Sequence, residues 1–240
     1  MVIAFFGADS KVGTTMLAQS FAEMLTDKGT VLFLSLSRSF KSAFVRDDIK
    51  HIDCFVPEIE SGIAIEKNKI SKHSHYSNLY ILGGLKDVLE PNDFSLEMAS
   101  KMIENLERMF DWIIIDAGSD MNNALSYAAV TGAFNRFLVF SQNQHCIDKV
   151  IDNSKKWELL NLEFNMLIAN KFKAFDVNGW DRIKKIFPFP ADKIIKIRYV
   201  DREREAEAEG KTFFDYGERK FIRDLQLLRE CLKENENGKI

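Results

Sequence analysis

The sequence predicts an α/β fold, a doubly wound, mostly parallel sheet with helices on both faces. Seven short apolar runs recur along the chain, and stretches with helical spacing separate them. The runs are nearly continuous rather than alternating, which is typical of strands that helices cover on both faces. With 240 residues and 46% apolar composition, the chain is long enough for one such core. We therefore expect a single domain over 1–235 and a polar, disordered tail at 236–240.

The elements follow one another in alternation. The predicted strands are 2–6, 30–36, 78–84, 111–118, 136–141, 164–170 and 193–198. A helix at 95–109 is indicated by six apolar residues on one face, with Ser95 as its N-cap. A last helix at 217–233 carries one apolar stripe (Phe221, Ile222, Leu225, Leu228 and Leu232). We expect that stripe to dock on the sheet, because the opposite face mixes both charge signs, whereas membrane-surface helices are mainly basic there.

Composition excludes several classes of function. The formal net charge of −3 gives no overall attraction to nucleic acid or to anionic membranes. No apolar run approaches 18 residues, so we expect no transmembrane segment, and the short apolar start does not fit a signal peptide. The three cysteines are far apart and lack metal-binding spacing. A cytoplasmic protein is therefore expected.

The stretch "GADSKVGTT" at 7–15 lies between the first strand and a helical segment. A phosphate-binding loop needs small residues, a helix N-terminus behind them, a lysine, and a hydroxyl for Mg²⁺. Against the pattern GxxxxGK[ST], the stretch keeps Gly13 and Thr15 but has Ala8 for the first glycine and Thr14 for the lysine. The motif alone is weak, and its position between strand and helix is what supports it.

The candidate site residues follow from this pattern. Backbone N–H groups around Val12 to Thr15 are available to phosphates, and Lys11 is a candidate cation for them. The run "WIIID" ends in Asp116, which together with Thr15 is predicted to hold Mg²⁺. The alternative interpretation is that Asp116 only caps the loop that follows a core strand. We predict no catalytic residues.

Three stretches, "SKVGTTMLAQSFAEML", "DWIIIDAGSD" and "LIANKF", resemble the ParA/MinD family of P-loop ATPases. That family has a deviant Walker A loop reading KGGxGK[ST], and the resemblance covers most of the chain. The variant "VGTT" is most similar to the CpaE/TadZ branch, which helps to localise pilus assembly machinery. The resemblance implies that ATP or ADP binds with Mg²⁺ and that Asn170 reads the adenine. It also implies a homodimer whose partners belong to pilus or secretion machinery, and recruitment to the inner membrane face through those partners.

The departures from the family pattern concern catalysis. The family's signature lysine falls at Asp9, and its two adjacent glycines fall at Ser10 and Lys11. The family's Asp-x-Asp element, which organises the attacking water, falls at Ser35 and Ser37. Serine is not ionised at pH 7 and cannot replace those carboxylates. Because phosphoryl transfer depends on these charges, efficient hydrolysis is not expected.

Three functions remain open at this point. The chain is a positioning or scaffold protein that binds nucleotide without cleaving it, a slow ATPase that uses Lys11 as a relocated cation, or an interaction module whose pocket no longer binds nucleotide. A DNA-partitioning role is a weaker alternative, since residues 171–198 hold eight basic and three acidic side chains. The acidic flank "EREAEAE" argues for an ordinary solvated face there. His73 and His75 lack further ligands for a metal, and we expect them in a solvated loop.

Overall fold

The computed structural model describes residues 1–36, 48–85 and 94–237, of which 233–237 are described by their backbone alone. The strands in this part of the chain are β1 (Val2–Gly7), β2 (Val31–Ser35), β3 (Ser71–Lys72), β4 (Leu79–Gly83), β5 (Trp112–Asp116), β6 (Asn135–Phe140), β7 (Met166–Phe172) and β8 (Ile194–Arg198). They form one sheet in the order β3-β4-β2-β5-β1-β6-β7-β8. Every described pairing is parallel except that of β3 with β4. The predicted fold class is therefore confirmed.

Helices connect the strands. Within the described residues they are α1 (Thr14–Leu25), α2 (Val56–Glu60), α3 (Leu96–Glu107), α4 (Ala124–Gly132), α5 (Gln144–Leu159), α6 (Trp180–Ile186), α7 (Glu203–Glu209) and α8 (Arg219–Asn237). Three short 3₁₀ turns lie at Ile52–Phe55, Lys67–Lys69 and Ala191–Lys193 in the same part of the chain. The predicted tail, 236–240, lies mostly outside the described residues.

The central strands are buried on both faces, as their continuous apolar runs predict. All six residues of β1 and all five of β2 are buried. Each of the seven predicted runs overlaps one strand. The eighth strand, β3, was not predicted, because it is two residues long and pairs antiparallel at the sheet edge. A segment this short leaves no periodic signal in the sequence.

Two helix predictions are confirmed, although Leu96 of the first helix is 46% exposed and Ile222 of the second is only partly buried. The Ser95 hydroxyl accepts a hydrogen bond from the Met98 N–H (3.1 Å), as an N-cap does. The apolar stripe of α8 is buried against the sheet, with Phe221, Leu225 and Leu228 each no more than 1% exposed. The stripe is thus used for packing. None of the helices that the structure describes is both long and apolar enough to cross a bilayer.

The strand order places a crevice at the carboxyl edge of the sheet. The strand β1 lies between β5 and β6, and the chain leaves β1 and β6 in opposite directions across the sheet. In doubly wound sheets, ligands bind at such a switch point, beyond the carboxyl ends of the strands. The loop at 8–13 and the residues that follow β5 lie at this position.

Candidate functional site

The loop between β1 and α1 is tied to both strands that flank β1. The Gly7 N–H donates to the Gly118 carbonyl (2.7 Å), and the Ala8 N–H donates to the Val139 carbonyl (2.8 Å). Gly118 follows β5, and Val139 belongs to β6. A Cβ atom at Gly7 would lie 2.7 Å from Thr14 Oγ1, so a larger residue would push against the start of α1. The sheet therefore fixes where the loop begins.

Gly13 turns the chain into α1. Its φ of 85° is in the left-handed region that favours glycine, and a Cβ atom there would lie 2.7 Å from Asn170 Nδ2. The Asn170 side chain donates from Nδ2 to the Val12 carbonyl (2.9 Å). Asn170 thus fastens the loop to β7 in this structure. The adenine contact that the resemblance implies for Asn170 stays a prediction.

The N-terminus of α1 opens toward this loop. Gly13, at the N-cap position, has no side chain to cap the helix, and the first turn contains no acidic residue. The first helical hydrogen bond runs from the Leu17 N–H to the Gly13 carbonyl (3.1 Å). The N–H groups before Leu17 have no partner within the helix, and the helix dipole adds partial positive charge there. This end of α1 therefore suits an anion such as a phosphate.

Thr15 and Asp116, the predicted Mg²⁺ ligands, are in direct contact. Thr15 Oγ1 donates to Asp116 Oδ2 (2.5 Å), and the Gly118 N–H donates to Asp116 Oδ1 (3.2 Å). The second bond is also what the loop-capping alternative requires. Asp116 is fully buried. Burial raises the pKa of its carboxyl above the ordinary value, although the hydrogen bonds from Thr15 and Gly118 and the nearby Ser35 hydroxyl act in the opposite direction.

Ser35 lies directly opposite Asp116 in the register of β2 and β5, and it is fully buried. Its hydroxyl is close enough to lower the pKa of Asp116, yet it makes no hydrogen bond of good geometry with any described atom. A hydroxyl at this place cannot act as a carboxylate toward water. Ser37, the other position of that element, lies outside the described residues.

These residues surround a cavity of about 500 Å³ at the carboxyl edge of the sheet. Its walls come from the loop at 8–13, the start of α1, the segment after β5 and the first residue of α7. Five of the predicted site residues line it (Lys11, Gly13, Thr14, Thr15 and Asp116). The side chain of Val12 is buried and does not line the cavity. A cavity of this size is within the range that small-molecule ligands occupy.

The cavity wall carries four carboxylates, of Asp9, Asp116, Asp120 and Glu203, together with the ammonium of Lys11. Four negative charges would oppose a polyphosphate unless cations offset them. Two of the four, those of Asp9 and Glu203, are offset by lysines from outside the wall, Lys149 and Lys171.

The first pair joins Asp9 to Lys149 of α5. Lys149 Nζ lies 2.5 Å from Asp9 Oδ1, and His145 Nε2 lies 4.0 Å from Asp9 Oδ2. Burial acts to raise the pKa of Asp9, but the hydrogen bonds from Lys149 and from the Ser10 N–H outweigh it and hold that pKa below its usual range. Asp9 is therefore ionised and neutralised at neutral pH.

The second pair joins Glu203 to Lys171, which follows Asn170 in β7. Lys171 Nζ lies 2.7 Å and 3.0 Å from the two carboxylate oxygens of Glu203. It also lies 3.5 Å from the Lys11 carbonyl, so it contacts the phosphate loop itself. The pair brings the start of α7 against the loop.

Sequence reasoning missed Lys149, Lys171 and Glu203. A signal for the two lysines was present. Lys171 follows the Asn that was singled out, and Lys149 lies in the helix that follows β6, whose carboxyl end is beside that of β1. Glu203 had no such signal, because only the return of the chain after β8 brings it to the cavity.

Other candidate chemistry finds no support in the structure. The expectation that His73 lies in a solvated loop is wrong, since its side chain is buried and its Nδ1 accepts from the His75 N–H (3.0 Å) and the Tyr76 N–H (3.4 Å). The residue holds its own turn together. Among residues 1–36, 48–85 and 94–237, no group of three His, Cys, Asp or Glu side chains is placed to hold a metal by itself. A Mg²⁺ ion held through one carboxylate and bound phosphates needs no such group.

Comparisons with known proteins show similarity in structure only. No family model matches the sequence, and no curated protein matches it at a significant level. A ParA family ATPase from Chlorobium tepidum TLS superposes with a TM-score of 0.78 at 15% identity, covering 93% of this chain and 95% of that one. MinD in the MinC:MinD cell division complex of Aquifex aeolicus gives 0.75 at 16% identity, with 95% and 96% covered.

A third solved structure is the septum site-determining protein MinD complexed with Mg-ADP from Pyrococcus horikoshii OT3. It gives a TM-score of 0.69 at 18% identity, and the similarity covers 93% of this chain and 92% of that one. The similarity extends over nearly the whole length of each protein, although few residues are shared. The chain therefore has the fold of the ParA and MinD ATPases.

Proposed function

We propose that this protein is a ParA/MinD-like positioning or scaffold protein that binds ATP or ADP with Mg²⁺ and hydrolyses it slowly or not at all. The observation that carries the proposal is the contact of Thr15 with Asp116 at the open N-terminus of α1. A hydroxyl and a buried carboxylate at this place are the two protein groups that a Mg²⁺-nucleotide site of this loop type requires.

The residues present fit a Mg²⁺-nucleotide. When bound, Mg²⁺ would supply positive charge that offsets the negative charge of the phosphates. The Thr15 hydroxyl and the Asp116 carboxylate would hold it, directly or through water. Asp116 is fully buried beside Thr15, and a nearby cation would stabilise its ionised form there.

Phosphate binding without the usual lysine relies on the backbone. Thr14 stands where the motif has its lysine. The backbone N–H groups at the start of α1 and at the left-handed turn of Gly13 remain as hydrogen-bond donors for a phosphate. The ion pairs of Asp9 with Lys149 and of Glu203 with Lys171 reduce the negative charge of the wall. Binding is therefore retained, and weaker than in a loop that has its lysine.

Efficient hydrolysis is not part of the proposal, because Ser35 faces Asp116 where a carboxylate would be needed. One observation favours slow hydrolysis as a second candidate. Lys11 lines the cavity and supplies an ammonium group to its wall. Its φ of 62° is a conformation that costs energy in a lysine. If Lys11 acts as a relocated cation, phosphate release must disappear in Lys11→Ala.

Proteins of the same fold support nucleotide as the ligand. The P. horikoshii MinD structure is a complex with Mg-ADP, and a structure of a McdA variant from Cyanothece is a complex with ATP. From the resemblance to CpaE/TadZ proteins we further propose a homodimer that acts at pilus or secretion machinery on the cytoplasmic side of the inner membrane. DNA is not proposed as a partner.

Calorimetric titration with Mg·ATP and with Mg·ADP tests the proposal, with Thr15→Trp as a variant whose side chain fills the loop. We expect saturable binding that Thr15→Trp abolishes while the variant still melts cooperatively without ligand. Light scattering on the same samples measures whether ATP raises the mass to that of a dimer. An absence of binding at millimolar nucleotide would leave the interaction module as the better account.

A further inference from the structure

The loop that follows β7 projects two apolar side chains into solvent. Phe175 is 103% exposed and Val177 is 87% exposed, the two largest values among the exposed large apolar side chains of the described residues. They stand two residues apart, at the carboxyl edge of the sheet. Full exposure of a phenylalanine costs free energy that burial would recover. The exposure therefore needs a reason.

The loop is held in place by a buried polar clamp. Gln142 Nε2 donates to the Lys173 carbonyl (3.1 Å) and to the Asn178 carbonyl (2.9 Å), and Gln142 Oε1 accepts from the Lys173 N–H (2.6 Å). Asn178 Nδ2 donates in return to the Gln142 carbonyl (2.8 Å). Both clamp residues, Gln142 and Asn178, are buried. The ends of the loop are thus fixed, and Phe175 and Val177 stand on a built support.

The acidic residue between them is turned to the backbone. Asp176 Oδ1 accepts from the Asn178 N–H (2.9 Å), which forms an Asx turn and leaves its side chain only partly exposed. The tip of the loop therefore presents apolar atoms with a carboxylate held against the chain.

Basic and aromatic side chains surround the base of the loop. Lys173 Nζ lies 4.0 Å from the centre of the Tyr199 ring, and Lys196 Nζ lies 4.4 Å from the centre of the Trp180 ring. Both lysines are exposed. Of the eight basic side chains in 171–198, Lys171, Lys184 and Arg198 are paired with carboxylates, whereas Lys173 and Lys196 form no ion pair with a described residue. The positive charge at the base of the loop therefore comes from Lys173 and Lys196.

We infer that this loop binds the surface of an anionic lipid bilayer. Phe175 and Val177 enter the boundary between headgroups and acyl chains, and Lys173 and Lys196 remain at the level of the lipid phosphates. Trp180 and Tyr199 are the residue types that favour the membrane interface. Two apolar side chains with a few lysines give weak, reversible attachment. Doubling the loop in a dimer would strengthen it.

Two other binding partners would contact only part of the surface that the loop exposes. An undistorted nucleic acid duplex would engage the lysines through its phosphates but would leave Phe175 and Val177 in water. A two-fold contact through this loop would bring Lys173 and Lys196 close to the same lysines of a second copy, which is unfavourable. A lipid surface accepts the apolar tip and the positive base at once. The apolar stripe of α8 is not an alternative route to the membrane, because it is buried against the sheet.

Vesicle co-sedimentation of the full chain without nucleotide tests the inference, so that its outcome does not depend on the proposed nucleotide site. The vesicles are phosphatidylcholine alone, and phosphatidylcholine mixed with phosphatidylglycerol. We expect the wild type to bind the mixed vesicles and the double variant Phe175→Ser, Val177→Ser to bind them about tenfold less. Lys173→Gln with Lys196→Gln is expected to reduce binding to the mixed vesicles and to leave the weak binding to neutral ones unchanged.

The matched control is Leu159→Ser with Leu160→Ser at the end of α5, where the two leucines are 84% and 53% exposed. It removes two exposed apolar side chains elsewhere and is expected to bind like the wild type. The inference is overturned if the wild type ignores mixed vesicles, or if the loop variant binds them as well as the wild type does. It is also overturned if the loop variant differs from the wild type only in losing the mass of a dimer by light scattering. The same holds if this loop binds DNA in a salt-sensitive way and does not bind vesicles.

Discussion

Lys149 Nζ lies 2.5 Å from Asp9 Oδ1, which places a lysine of α5 beside a carboxylate in the wall of the loop cavity. The side chain of Asp9 is 18% exposed and that of Lys149 is 41% exposed, so the pair is partly shielded from water. Because Asp9 is ionised, its neutralisation matters to any anion in the cavity.

Lys149→Ala is expected to weaken Mg·ADP binding by roughly three- to tenfold, because Asp9 is then an uncompensated negative charge at the cavity. Asp9→Asn is expected to tighten binding by a similar factor. The double variant should bind like Asp9→Asn, since Lys149 has then lost its partner. Calorimetry on the four proteins measures the coupling, and additive effects in the double variant would show that Lys149 does not act through Asp9.

Gly13→Ala is expected to lower stability and to abolish nucleotide binding. The substitution places a methyl group 2.7 Å from Asn170 Nδ2 in a residue with φ of 85°. Gly62→Ala is the matched control, because Gly62 has φ of 69° but no heavy atom within 4 Å of the added Cβ. The control should cost about 1 kcal/mol in unfolding free energy and leave binding intact. Equal losses in both variants, measured by urea unfolding, would argue that backbone conformation alone matters at Gly13.

Glu23 makes folding stability depend on pH. It is buried on α1, where the Thr212 hydroxyl donates to Oε2 and Gln19 Nε2 donates to Oε1 (3.1 Å). Burial raises the pKa of Glu23 to about 8, despite the two hydrogen bonds. A raised pKa means that the folded state holds a proton which the unfolded state releases. The stabilising effect is therefore complete below the ordinary glutamate range and is lost as pH rises toward about 8.

The Glu23→Gln variant checks this dependence. Between the two pKa values the wild type should lose up to about 1.4 kcal/mol of unfolding free energy per pH unit more than Glu23→Gln. Urea unfolding across that range gives the two slopes. The exposed substitution Glu104→Gln should keep the wild-type slope. Parallel slopes for wild type and Glu23→Gln would contradict the raised pKa.

Much of the fold could be predicted because strands buried on both faces need apolar residues at most of their positions. The runs that contain most of β1, β2, β5 and β7 are nearly continuous in apolar residues, which is typical of strands covered on both faces. The strand β3 and the helices α6 and α7 are short, and their positions depend on contacts distant in sequence. Short elements of this kind carry little local signal.

The candidate site divides in the same way. Thr15 and Asp116 could be predicted as neighbours, since Asp116 ends β5, Thr15 lies after β1, and these parallel strands end at the same edge of the sheet. Asp9, Lys149, Lys171 and Glu203 could be read as charges, but their pairing could not. An ion pair between residues 140 positions apart depends on how a helix is rotated on the sheet, which no local pattern records.

The dependence of ADP affinity on Mg²⁺ tests the central claim most directly, when measured in the wild type and in Asp116→Asn. Asparagine keeps the shape of the side chain and removes its charge, and its effect on folding is checked by melting without ligand. We predict that Mg²⁺ raises the ADP affinity of the wild type about tenfold or more and that Asp116→Asn loses this gain. Equal gains in both proteins, or no ADP binding to the wild type at all, would contradict a nucleotide site built on Thr15 and Asp116.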